Sequence, residues 1–126
     1  MIINGREIHF RRTVFVTCLL SERAPGKDVR RYEELFNENN LGQTFDASAY
    51  FIHALSIGYE KWKAMTTPGY EQNPVTLDEL MCLDEAEFLK LFAEAMESFR
   101  GDAKQTVEAQ PKKRTGKKTE SVKALG

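Results

Sequence analysis

Four side chains in this sequence are soft enough to hold a transition metal: His9, Cys18, His53 and Cys82. A zinc or iron site usually shows as two such ligands a few residues apart, and no pair here has that spacing. Ser48 and Ser56 flank His53 at five and three residues. Nucleophilic catalysis needs more than that neighbourhood, and no Gly-x-Ser-x-Gly elbow occurs. Ala24-Pro25-Gly26-Lys27-Asp28 sets a glycine before a lysine as phosphate-binding loops do. It lacks both the upstream glycine and the hydroxyl after the lysine. The carboxylates have a simpler role: Asp84, Glu85 and Glu87 suit the positive end of a helix, and Glu94 and Glu97 a solvated helix face. No catalytic residue, metal ligand or cofactor is expected, and the chain reads as a binding protein.

Binding chemistry is better supplied. Tyr32, Phe36, Tyr50, Phe51, Tyr59, Trp62, Phe88, Phe92 and Phe99 crowd a body of about a hundred residues. Most must form its core. A body this small also leaves helix faces uncovered, so Tyr32, Phe36, Tyr59, Trp62, Phe92 and Phe99 are the candidate partner-binding residues. Lys112, Lys113, Arg114, Lys117 and Lys118 form a second candidate, a basic tail. It could touch phosphates, dock on an acidic protein or simply stay solvated. No aromatics interleave it for base stacking, so nucleic acid is the weaker reading.

The elements that position these residues follow from periodicity. Met1–Phe10 carries Asn4-Gly5 between two short apolar-rich runs, the strongest local hairpin signal, because a type I′ turn needs two residues at positive φ. Thr13–Arg23 is expected as a helix, with a third strand as the rival because Thr13, Val14, Val16 and Thr17 are β-branched. Val29, Tyr32, Leu35 and Phe36 predict a helix over Lys27–Asn39, closed by Asn39-Asn40-Leu41-Gly42. Asp46 or Thr44 is expected to cap a long central helix to about Met65. Thr76-Leu77-Asp78-Glu79 fits a capping box for a short helix. Asp84 opens the most amphipathic helix, through Phe88, Leu89, Leu91, Phe92, Ala95, Met96 and Phe99 to Arg100-Gly101.

The expected fold is therefore mainly α: a small helical domain with an N-terminal β-hairpin over residues 1–101, then a disordered basic tail over residues 102–126. Hydrophobic residues make up 41% of the chain, enough for a core. The net charge of −1 hides an asymmetry: residues 1–100 hold 11 Lys/Arg against 16 Asp/Glu, and residues 101–126 hold 7 against 3. No apolar run reaches the roughly 18 residues of a membrane span, and polar residues interrupt Met1–Phe10, unlike a secretory signal. A cytoplasmic location is expected, with Cys18 and Cys82 as reduced core thiols.

The layout resembles the tail assembly chaperones of long-tailed, siphovirus-like bacteriophages. The matching pieces are the Ile2-Ile3-Asn4-Gly5-Arg6-Glu7 hairpin, the helical body, the late Leu77-Asp78-Glu79-Leu80 and Leu83-Asp84-Glu85-Ala86-Glu87-Phe88-Leu89 helices, and the Lys-rich end. The resemblance is organisational, since the family has no catalytic motif to match. It implies a non-enzymatic protein that keeps the tape measure protein soluble in the host cytoplasm and helps recruit tail tube subunits, with possible self-association. It further implies a longer product made by ribosomal slipping, for which Pro111-Lys112-Lys113 or Gly116-Lys117-Lys118 would encode the purine-rich run. The alternatives are another viral structural or adaptor protein, or a small regulator binding nucleic acid through its tail.

Overall fold

The computed structural model describes the backbone of residues 2–109 and the side chains of residues 2–101. It is mainly helical with an N-terminal antiparallel hairpin. Strands β1 (Ile2–Ile3) and β2 (Arg6–Glu7) pair with Ile3 opposite Arg6. Asn4 and Gly5 take φ of 54° and 77°, the two positive values the turn requires. The hairpin buries Ile3 and Ile8 and leaves Ile2 exposed.

Helix α1 spans Val14–Arg23, which decides between helix and strand for this run. Thr13 supplies the reason: its hydroxyl accepts a hydrogen bond from the Val16 amide at 3.3 Å and caps the first turn. Val16 and Leu20, one turn apart, are fully buried, and Pro25 follows the end.

The next segment departs from expectation. No α-helix covers Lys27–Asn39; a 3₁₀ helix occupies Val29–Leu35 instead. Val29, Tyr32 and Leu35 are spaced by threes, and three residues per turn puts them on one edge. The same eclipsing joins Arg31 to Glu34, Nε to Oε2 at 2.9 Å. Gly26 and Lys27, at φ of 65° and 56°, break the chain between α1 and this segment, and the Asp28 carboxylate caps the new start.

Helix α2 (Leu41–Thr66) then begins earlier than expected. Its N-cap is Asn40, which accepts from the Gln43 amide at 3.0 Å; neither Thr44 nor Asp46 serves. Asparagine suits both helix ends, so Asn39-Asn40 opens α2 where the sequence suggested a closing turn. Thr44 instead ties down the preceding loop, accepting from the Asn37 amide and donating to the Asn37 carbonyl.

At 26 residues α2 is about 39 Å long and is the axis of the fold. Phe51, Ile52 and Leu55 are buried on it, as are the small residues Ala47, Ala49, Ala54 and Gly58. Those small side chains let neighbours approach closely. A Cβ on Gly58 would lie 2.4 Å from both the Arg11 carbonyl oxygen and Val16 Cγ2. Helix α3 (Leu77–Met81) carries the expected capping box, with Thr76 and Glu79 bonding reciprocally at 3.1 and 2.9 Å.

Helix α4 spans Glu85–Ala109 and packs Phe88, Leu91 and Ala95 onto the core, with Leu89 on its outer face. It does not stop at Arg100-Gly101 but runs eight residues further, into the stretch expected to be disordered. Residues 110–126, with Lys112, Lys113, Arg114, Lys117 and Lys118, lie outside the described residues. The cysteines correct the expectation of core thiols: Cys18 and Cys82 are both exposed and unpaired with each other. Apolar sequence neighbours do not place a residue inward. On α1 the buried face belongs to Val16 and Leu20, and Cys82 sits at the C-cap of α3.

Candidate functional site

The six candidate aromatics divide into two groups around α2. Tyr32, Phe36, Phe92 and Phe99 gather about Phe51. Its ring centroid lies 6.2 Å from Tyr32, 5.8 Å from Phe92 and 5.2 Å from Phe99. Phe36 meets Tyr32 at 5.9 Å and Phe92 at 5.5 Å, edge to face in both cases. Tyr32 itself is buried. Its hydroxyl donates to the Ala47 carbonyl at 2.6 Å, and burial pushes the phenol well above its ordinary range, so it stays protonated.

Tyr59 and Trp62 stand apart. Tyr59 stacks between His9, at 4.7 Å, and Trp62, at 5.8 Å, and the Arg11 guanidinium lies 4.1 Å over the indole. With the Arg11 amide bonded to the Leu55 carbonyl at 3.2 Å, these contacts strap residues 9–12 along α2. Tyr59 and Trp62 therefore hold the fold together and do not join the first group.

The first group floors an opening. The 3₁₀ segment and α4 both rest on α2 and meet at the Phe36–Phe92 contact. Beyond it a groove of about 380 Å³ opens between them. Tyr32, Phe36, Phe51 and Phe99 line it, with Val29 and Met96 on its two walls, while Phe92 stands behind. Its charged residues are Arg12, Arg30, Glu33 and Arg100. Arg12 lies 3.8 Å over the Phe99 ring. The arrangement can take up large apolar side chains and hold charge beside them.

A smaller cleft of about 160 Å³ lies between α2, α3 and α4, lined by Phe45, Met81, Leu83 and Phe88 among others. Among the described residues, Glu85 is the charged one that lines it.

Sequence reasoning missed the groove arginines, having assigned the positive charge to the tail. Arg12, Arg30 and Arg100 lie on three separate stretches, so no local spacing marks them. It also treated the Ser48–His53–Ser56 grouping as chance. Two of these residues act together, in a structural role. His53 Nδ1 donates to the Val75 carbonyl at 2.7 Å, and Ser56 Oγ accepts from the Val75 amide at 2.9 Å. One turn on, buried Glu60 accepts from the Tyr70 hydroxyl and the Asn73 amide, both at 2.8 Å. Three polar positions on one face of α2 thus clasp the loop at residues 67–76, and Arg6 of the hairpin reaches the Asn73 carbonyl from outside. Ser48 turns back on its own helix and donates to the Thr44 carbonyl.

Among the described residues, no group of three or more His, Cys, Asp or Glu stands together to hold a metal ion, and no helix is long and apolar enough to cross a membrane. Comparison with known protein families, with curated proteins and with solved structures found no match.

Proposed function

We propose that this chain is a non-enzymatic phage tail assembly chaperone, binding the tape measure protein and helping to recruit tail tube subunits in the host cytoplasm. The observation that carries the proposal is the aromatic groove between the 3₁₀ segment and α4. A tape measure protein is a long helix with apolar faces, and an open trough between two helical walls is the shape that receives one such face. Burying a client's apolar side chains against Tyr32, Phe36 and Phe99 would keep them from aggregating until tube subunits replace the chaperone. The resemblance in layout supports the same reading independently of the groove.

Co-expression tests it. The long helical protein encoded beside this chain should appear in the soluble fraction when co-expressed with it and in the pellet when expressed alone. Met96→Glu, which puts a carboxylate on a half-exposed groove wall, should reduce the rescue. Equal aggregation of the client with and without the chaperone would overturn the proposal.

A further inference from the structure

The charge around the groove runs against that of the body. Residues 1–100 hold 11 Lys/Arg against 16 Asp/Glu, yet among the described residues the groove is lined by three arginines and one glutamate. Arg30 gives its Nε and Nη2 to Asp28, at 3.0 and 2.9 Å, and keeps its Nη1 donors. Arg100 has no ion-pair partner among the described residues. Arg12 is held at the edge by its contact with Phe99. The sequence directly after Arg100 adds 7 Lys/Arg against 3 Asp/Glu.

We propose that the groove takes an acidic amphipathic helix from another protein. Two large apolar side chains one turn apart enter between Tyr32 and Phe99, and carboxylates on the flanks of that helix meet Arg30 and Arg100. Arginine suits this task, because its planar fork bonds a carboxylate while its face rests on an aromatic ring. The inference rests on the chaperone reading and specifies the client segment as acidic. Two other occupants fit less well. The chain's own basic tail would be repelled by the arginines. A second copy could offer α4, whose outer face has Glu85, Glu87, Glu94 and Glu97 but only Leu89 as a large exposed apolar residue among those described, or α1, whose exposed Val14 and Phe15 are adjacent and not one turn apart, with Glu22 as that helix's single carboxylate.

The test uses the full chain and three labelled helical peptides of about 20 residues, about 30 Å long. Each carries Leu and Phe at i and i+4. They differ only in flanking residues, which are Glu, Gln or Lys. In a fluorescence anisotropy titration at low salt, the Glu peptide should bind about 10-fold tighter than the Gln peptide, with the preference shrinking as salt rises. The double substitution Arg30→Gln/Arg100→Gln should weaken the Glu peptide about 3- to 10-fold and leave the Gln peptide unchanged. Glu33→Gln should tighten the Glu peptide a few-fold, a gain that misfolding does not mimic.

Equal binding of the three peptides, or a preference untouched by these substitutions, overturns the acidic-partner inference while leaving the co-expression result standing. Arginine-dependent binding of the Glu peptide alongside failed client rescue would overturn the chaperone reading alone. A concentration-dependent dimer that Arg100→Gln dissolves would overturn the inference in favour of a second copy.

Discussion

Replacing Gly58 by alanine should destabilise the protein by about 2 kcal/mol, although alanine is the better helix former. The added Cβ would lie 2.4 Å from the Arg11 carbonyl oxygen and 2.4 Å from Val16 Cγ2. Comfortable carbon contacts lie near 3.5–4.0 Å, so α2 must retreat by about 1 Å from two neighbours at once. Neither yields easily: one is backbone, and the other is a fully buried valine on α1. Overpacking of this kind costs roughly 1–3 kcal/mol, and a backbone obstacle places it near the top of that range. Alanine recovers about 1 kcal/mol of helix propensity, leaving a net loss near 2 kcal/mol. For a domain of this size that lowers the melting temperature by about 8 °C. Circular dichroism during thermal unfolding measures the loss. Trp62 offers a second readout, because it is the sole tryptophan and Arg11 lies over it. A strap pushed off α2 should change its fluorescence. Gly101→Ala is the control: nothing described lies within 4 Å of its added Cβ, so it should gain up to about 1 kcal/mol. Equal or higher stability of Gly58→Ala would refute the close approach of the strap to α2.

Three further outcomes follow from the clasped loop and the caps. Tyr70 is pushed up to about 12, first because it donates to Glu60. Its folded value exceeds the ordinary 10.0, so the stability it contributes is complete below pH 10 and is lost as pH rises through about 12. Tyr70→Phe should therefore be less stable at neutral pH and lose stability less steeply above pH 10, as urea titrations across that range would show. Thr76→Ala removes one half of the capping box and should cost about 1 kcal/mol, while Thr76→Ser restores most of it, measured by chemical denaturation. Lys27 holds φ of 56° without being glycine. Lys27→Asn, which tolerates that conformation, should raise stability by a few tenths to about 1 kcal/mol in the same assay.

Where the sequence alone was sufficient, the deciding interactions lie within four or five residues. Asn4-Gly5 dictates its hairpin because two adjacent residues must take positive φ, and Thr76 with Glu79 dictates its helix start because both bonds close inside one turn. Period likewise marks Phe88, Leu91 and Ala95 for the inner face of α4, although the same stripe took in Leu89, which faces outward. The same local logic assigned Asn40 to the close of one helix, whereas it opens the next. It also could not separate an α-helix from a 3₁₀ helix over Val29–Leu35, where a spacing of three fits either. Tertiary structure decided those cases, and it alone decided the groove. Arg12, Arg30 and Arg100 come from the strap, the 3₁₀ segment and α4, and Phe51 joins them in the groove lining from α2. Residues so far apart meet only because all these elements dock on one long helix whose small residues allow close approach. The clasp by His53, Ser56 and Glu60 is of the same kind: their shared face is legible at three- and four-residue spacing, but its partners, Val75, Tyr70 and Asn73, are backbone and side-chain groups that only the folded loop brings near.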